Sequence, residues 1–239
     1  MLFVFDDNTQ QCTAIQINRD TMANVNRLDV GGNKIDTTVE QIALAYNYIY
    51  ADSAKKSSRN VADSVEDLLM GIPVQHYITL TMDSVAVMNY LVGGVEVTVL
   101  DDFTGIDDTL VEGETVTLKG EQALRYVRTR YGLEDSTNST RMERQQQYIN
   151  ALYDKTMSCI AEDDEFVITL VDTMDDYATY DISDFRLKEL AEKFDEYEFL
   201  GIRDIEGETQ LGDEFIEFYP DEASIWEIVI DLFYTQKVE

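Results

Sequence analysis

Hydrophobic positions along the chain fall in short runs whose period changes repeatedly. Residues 2–5 and 13–17 are apolar runs of strand length, joined by the turn-rich Asp6-Asp7-Asn8-Thr9. After Asn18-Arg19-Asp20-Thr21, the polar stretch 22–37 with Gly31-Gly32-Asn33 reads as a loop. Apolar residues at 39, 42, 43, 46 and 49 repeat with a helical period and predict a helix over 39–50. Residues 51–59 form a charged, serine-rich connection, and 61–70 a second helix with Val61, Val65, Leu68 and Leu69 on one side. A strand at 76–81, a helix at 83–92 and a strand at 95–100 follow, with Gly93-Gly94 turning between the last two. Further helices are predicted at about 121–129, 139–158, 166–176 and 183–197. Strands at 200–205 and 214–219 flank the turn Glu206-Gly207-Glu208, and Pro220-Asp221-Glu222 starts a final helix through Phe233. Such alternation of strand and helix predicts an α/β fold layered about a central sheet. No repeat, low-complexity tract or linker interrupts it, so residues 1–239 are read as one domain.

Composition narrows the function. The chain has 239 residues, 44% of them hydrophobic, with only two prolines and twelve glycines, so it buries a proper core and is not disordered. Its net charge is −30, from 48 acidic and 18 basic residues, which argues against nonspecific nucleic-acid binding and against attraction to anionic membranes. Cys12 and Cys159 fit no metal spacing and are expected as two unpaired thiols rather than a disulfide; His76 is the single histidine, with no cysteine nearby, which argues against a zinc site. No stretch of about 18 apolar residues is present, and no signal peptide. Met1 abuts the strand-like Leu2-Phe3-Val4-Phe5, so further sequence is expected upstream.

Against this acidity, five of the ten arginines fall within residues 125–144: Arg125, Arg128, Arg130, Arg141 and Arg144. Arginine holds phosphate with a planar, permanently charged, bidentate group. On a helix, Arg141 with Gln145 and Arg144 with Tyr148 are four apart, predicting two adjacent stripes of one polar face. Arg128 and Arg130, two apart, point about 200° from each other on a continuous helix. They converge only if the helix ends there, as Gly132 permits. The competing interpretation is a set of salt bridges to Glu121, Glu134, Asp135 and Glu143. Arg19, following a strand in Asn-Arg-Asp-Thr, stands where α/β folds place binding residues.

Four segments carry a resemblance: Asn-Arg-Asp-Thr-Met at 18–22, Gly-Gly-Val-Glu-Val-Thr-Val at 93–99, Leu-x-Gly-Glu-Gln-Ala-Leu-x-Tyr-Val-Arg-x-Arg at 118–130 and Arg-Met-Glu-Arg-Gln-Gln at 141–146. In order and spacing the chain resembles the LytR-CpsA-Psr family, most closely over residues 1–155; 156–239 match clostridial-type members only by pattern. The resemblance implies an α-β-α fold about a central mixed sheet, with a lipid tunnel between sheet and helices. It implies membrane-anchored, extracytoplasmic phosphotransferases that move teichoic acids or capsular polysaccharides from a polyprenyl-pyrophosphate carrier to peptidoglycan, with Mg²⁺. Carried over, Arg19, Arg128, Arg130 and Arg141 contact pyrophosphate with Gln145 beside them, and Asp20 positions Arg19. Arg144 is either a substrate contact or a partner of Glu143 or Asp135. The apolar residues of 39–50 and 61–70 line the tunnel or form ordinary core.

The chain also departs from the family's pattern. The family's metal-binding Asp segments precede the position of Leu2, so no metal ligand is assigned within this chain, and the membrane anchor is expected upstream as well. The family's domain also starts with an earlier strand, whose loss is expected to weaken the sheet or leave an open edge. Gln41, in Gln-Ile-Ala-Leu-Ala-Tyr, replaces a lysine that many relatives place beside the pyrophosphate, and Asn138 replaces an aspartate. A noncatalytic binder of polyprenyl phosphate or wall polymer is the alternative function.

Overall fold

The protein is described from a computed structural model that covers residues 1–46, 53–129, 138–163, 165–212 and 215–234. Its first half contains β1 (Leu2–Asp6), β2 (Gln11–Gln16), β3 (Met22–Leu28), β4 (Lys34–Gln41), α1 (Ser53–Leu68), β5 (Ile78–Leu80), α2 (Asp83–Leu91), β6 (Val95–Thr98) and β7 (Thr115–Leu118). Then come α3 (Glu121–Arg128), α4 (Asn138–Glu162), α5 (Phe166–Met174), β8 (Ala178–Tyr180), α6 (Asp184–Glu196), β9 (Glu198–Asp204), β10 (Gly207–Leu211), β11 (Ile216–Pro220) and α7 (Glu222–Phe233). The mixed α/β architecture is the expected class. The chain forms two compact units, Met1–Thr79 with Thr179–Glu239, and Leu80–Ala178.

The first unit holds a mixed three-stranded sheet in the order β1-β2-β9. β2 is central because Cys12, Thr13, Ala14, Ile15 and Gln16 are buried on both faces; it pairs antiparallel with β1 and parallel with β9. Ile15, Ala62, Val65, Leu69, Ile225 and Val229 pack into this unit's core, joining β2 to one face of α1 and of α7. Ile42, Val65 and Leu69, named above as tunnel or core, lie in that core. Asp221 accepts a hydrogen bond from the Ala223 amide and caps α7, as its position before the apolar run implies.

Two assignments in this unit are corrected. Residues 22–41 are not a loop and a helix start but an antiparallel hairpin, β3 with β4, followed by a short 3₁₀ turn at Ile42–Ala45. Ala23 and Val25 alternate with polar Asn24 and Asn26, a strand period hidden by polar content. Thr37, Thr38 and Val39 are β-branched, which favours a strand although Val39 matched the helical spacing. The turn is built by Asp29, whose Oδ1 accepts the amides of Gly31 and Asn33, each at 2.8 Å. Gly32 sits there at φ 73°, and an added Cβ would meet Lys56 Cδ at 2.3 Å. α1 begins at Ser53, earlier than the predicted 61; residues 47–52 of the predicted first helix lie outside the described residues. β10 was also missed, because Glu208, Thr209 and Gln210 are solvent-facing and show no apolar alternation.

The second unit is a β6–β7 antiparallel pair beneath α2, α3, α4 and α5. Val95, Val97 and Leu118 meet Ala123, Tyr126, Val127 and Tyr148 in a second core that also encloses Phe103 and Leu110. β7, an alternating Thr-Val-Thr-Leu, was missed because it is short.

Both thiols are free among the described residues. Cys12 is 1% exposed, and burial pushes its thiol up to about 12, whereas Cys159 is half-buried. An aromatic disulfide reagent at pH 8 is therefore expected to titrate Cys159 alone in the native protein and Cys12 only after denaturation. Rapid native reaction of both would contradict the burial of Cys12.

Candidate functional site

The turn after β2 places Arg19 and Asp20. Asn18 Oδ1 accepts the Asp20 amide at 2.9 Å, and its carbonyl accepts the Thr21 amide and hydroxyl. The Asp20 carbonyl accepts from the Phe218 amide, and the Arg19 and Thr21 carbonyls accept from Ala43 and Ile42. With its backbone fixed in this way, the Arg19 side chain remains 55% exposed while the Asp20 carboxylate is enclosed. Asp20 Oδ1 lies 3.5 Å from Arg19 Nε and accepts from Gln41 Nε2 at 3.3 Å, and the same Gln41 nitrogen donates to the Ile216 carbonyl at 2.6 Å. Arg19, Asp20 and Gln41 are thus brought together, with Asp20 positioned to orient Arg19. Gln41 directs its amide nitrogen inward, tying the turn to β11.

Asp20 Oδ2 is buried without a hydrogen-bond partner among the described residues. An orphaned carboxylate oxygen invites a cation, but this one is enclosed, and its sister oxygen already faces a guanidinium. Among the described residues no three His, Cys, Asp or Glu side chains gather to hold a metal ion. Mg²⁺ requires near-octahedral oxygen coordination, usually one or two carboxylates completed by water and phosphate. The residues described do not fit a resident Mg²⁺ site.

In the second unit the five arginines divide by environment. α3 ends at Arg128, and its C-cap, Thr129, is extended at φ −60° and ψ 134°, so the helix does stop between Arg128 and Arg130. Arg130 itself, with Gly132, Glu134 and Asp135, lies outside the described residues. Arg128 is exposed, with no hydrogen bond or ion pair to any described residue. Arg125, one turn earlier, is ion-paired with Asp107. Arg141 is half-buried on α4, and it too has an interacting partner.

Arg144 is different in kind. It is 0% exposed, its Nη1 is 3.1 Å from Asp101 Oδ2, and its Nη2 donates to the Thr129 carbonyl. The guanidinium carbon stands 5.3 Å from the Phe103 ring centre and 6.0 Å from that of Tyr126, two rings that stack on each other. Burial lowers its pKa, opposed by Asp101 and Tyr126. Burial likewise pushes the Tyr126 phenol up to about 12, so it donates as a neutral hydroxyl to Gln147 Oε1 at 2.6 Å. Gln145, half-buried, donates to the Val127 carbonyl at 3.2 Å.

Sequence reasoning therefore misjudged α4 in one respect. The Arg144/Tyr148 stripe is not part of a polar face; both residues are buried, and Tyr148 donates to Asn89 Oδ1 at 3.2 Å. Among the described residues Arg144 pairs with Asp101 and not with Glu143; Asp135 lies outside the described residues. The salt-bridge alternative holds for Arg125 and Arg144, but through Asp107 and Asp101 of the loop after β6. Asp101, Phe103, Tyr126 and Gln147 were not singled out; the one sequence signal was a pair of acids, Asp101-Asp102, directly after a strand.

Comparison with known proteins identifies the family. The model of the LytR_cpsA_psr family matches residues 1–228. The chain belongs to that family. A LytR_cpsA_psr relative from Enterococcus faecalis (strain ATCC 700802 / V583), the polyisoprenyl-teichoic acid–peptidoglycan teichoic acid transferase TagU, is 37% identical over 99 residues. That stretch spans 40% of this chain and 31% of the relative's length. Among solved structures, an Enterococcus faecalis protein described as a transcriptional regulator superposes with a TM-score of 0.71 at 22% identity, covering 96% of this chain and 79% of its own. Bacillus subtilis TagT superposes with a TM-score of 0.68 at 20% identity, covering 96% and 82%. At such identity these two establish the LytR_cpsA_psr fold alone. Among the described residues no helix is long and apolar enough to cross a membrane.

Proposed function

We propose that this protein is a phosphotransferase acting outside the cytoplasm, which moves an anionic glycopolymer, teichoic acid or capsular polysaccharide, from a polyprenyl-pyrophosphate carrier to peptidoglycan. Family membership supports the class of reaction, and the name of the TagU relative the polymer and acceptor. The observation that carries it to particular residues is Arg128: an exposed guanidinium at a helix end, free of protein partners among the described residues, in a chain of net charge −30. An unpaired arginine in such a field is placed for a ligand that brings its own negative charge.

A hydroxyl of a peptidoglycan sugar attacks the phosphorus next to the glycopolymer, and polyprenyl phosphate leaves. Negative charge grows on the bridging and non-bridging oxygens as the bond breaks. Arg128 meets that charge, with Arg130 and Arg141 of the same cluster assigned the same role. The expected lipid tunnel and an anchoring segment belong to this proposal as well. The binder alternative is favoured by one observation: the free oxygen of Asp20 is enclosed and unable to take a proton from an acceptor hydroxyl.

Incubation of the protein with geranylgeranyl pyrophosphate and Mg²⁺ tests the assignment, with phosphate release as readout. Slow release of phosphate, leaving geranylgeranyl phosphate, is expected. Tight binding of the lipid without any turnover would favour the binder, and absence of both would refute each reading.

A further inference from the structure

We infer that Arg144 and Gln145 are positioning residues, which cap the C-terminus of α3 from outside and fix the direction in which Arg128 leaves it. The inference rests on the reading of Arg128 as a pyrophosphate contact and adds two residues that act through it.

The last four carbonyls of any helix lack partners within it. A glycine in the left-handed conformation usually closes the end by turning the chain back on those carbonyls. The C-cap of α3, Thr129, is extended, and its amide returns only as far as the Arg125 carbonyl, at 3.0 Å. Among the described residues, two successive residues of α4 provide further donors. Gln145 Nε2 donates to the Val127 carbonyl and Arg144 Nη2 to the Thr129 carbonyl. Those two carbonyls belong to the peptide groups on either side of the Arg128–Thr129 segment. The backbone carrying Arg128 is gripped both before and after it, while the Arg128 side chain itself is exposed and has no partner among the described residues.

The grip is itself immobilised. Arg144 lies against the stacked Phe103 and Tyr126 rings and beside Asp101, with no surface open to solvent. One turn on, Gln147 braces the same assembly by donating to the Thr98 carbonyl at 2.8 Å and accepting from Tyr126. A residue enclosed on every side does not touch a substrate, so any effect of Arg144 on phosphate chemistry passes through α3. Displacement of a catalytic group by about 1 Å costs on the order of 10²-fold in rate, which sets the scale for such an effect.

Double-mutant cycles with inorganic pyrophosphate as the probe test this, read by titration calorimetry alongside hydrogen exchange of the Thr129 amide. Arg144→Lys keeps a charge for Asp101 but loses the planar fork, and Gln145→Leu removes one donor without disturbing the core. Both variants are expected to retain native circular dichroism, to exchange Thr129 faster, and to weaken pyrophosphate binding by about 3- to 30-fold. Neither should weaken binding further in a chain already carrying Arg128→Ala, because the coupled residues act as one unit. Losses that add to that of Arg128→Ala would overturn the inference, since they require a route other than Arg128. Unchanged affinity in both variants would overturn it equally. If wild-type protein ignores pyrophosphate and Arg128→Ala is silent, the phosphate-site reading fails and the inference falls with it; faster Thr129 exchange in the variants would then show a cap without that function.

Discussion

Replacing Arg144 with alanine should destabilise the second unit by about 3–5 kcal/mol, the range for removing one partner of a buried ion pair. That is a large share of the total, because domains of this kind are stable by only about 5–15 kcal/mol. Four consequences add in one direction. Asp101, whose side chain is 14% exposed, loses the cation beside it. The Thr129 carbonyl loses its donor, Phe103 and Tyr126 lose the cation against their faces, and a cavity opens in a core that has no solvent to fill it. Urea denaturation followed by far-UV circular dichroism measures the effect; the single Trp226 lies in the other unit and would report on that unit instead. Arg144→Met combined with Asp101→Asn should recover part of the loss, since it removes both charges while restoring volume. A shift below about 1 kcal/mol for Arg144→Ala would mean that the pair is hydrated and that the enclosure is not real.

The same residue shows what a sequence can and cannot reveal. The arginine cluster was legible because arginine in so acidic a chain is conspicuous, and the end of α3 near Arg128 could be anticipated from the geometry that Arg128 and Arg130 require. The helices α2, α3, α4, α6 and α7 were legible from the 3.6-residue period and, for α7, from the start signal at Asp221. What escaped was the sorting of like residues by environment. Arg125, Arg128 and Arg144 are chemically identical, and only the tertiary positions of Asp107 and Asp101 decide which is paired, which is free and which is buried. Those acids lie 18 and 43 residues before their partners (125 − 107 and 144 − 101), in a loop whose local sequence speaks only of turns. Likewise β3–β4 was hidden because its outward positions carry threonine, asparagine and charge, leaving too few apolar residues to mark a period of two.

Arg128→Ala should lower turnover of a prenyl pyrophosphate by about 10²–10³-fold, the usual cost of deleting one preorganised group that meets charge developing in the transition state. Stability should change by no more than about 0.5 kcal/mol, because the side chain is exposed and has no described partner to abandon. The fall should appear mainly in kcat, with KM less affected, if Arg128 grips the leaving phosphate more firmly as the bond breaks. Arg128→Lys should restore the charge but not the bidentate geometry, and so recover only part of the rate. Arg125→Ala is the internal control: it lies one turn earlier on α3, yet its guanidinium is committed to Asp107, and turnover should fall less than about tenfold. Equal losses at Arg125 and Arg128 would mean that the cluster acts only as a diffuse positive field. In that case raising ionic strength from 0.01 to 0.15 M, which shortens screening from about 30 Å to 8 Å, should mimic both substitutions. A specific contact at Arg128 predicts instead that most of its effect survives in salt.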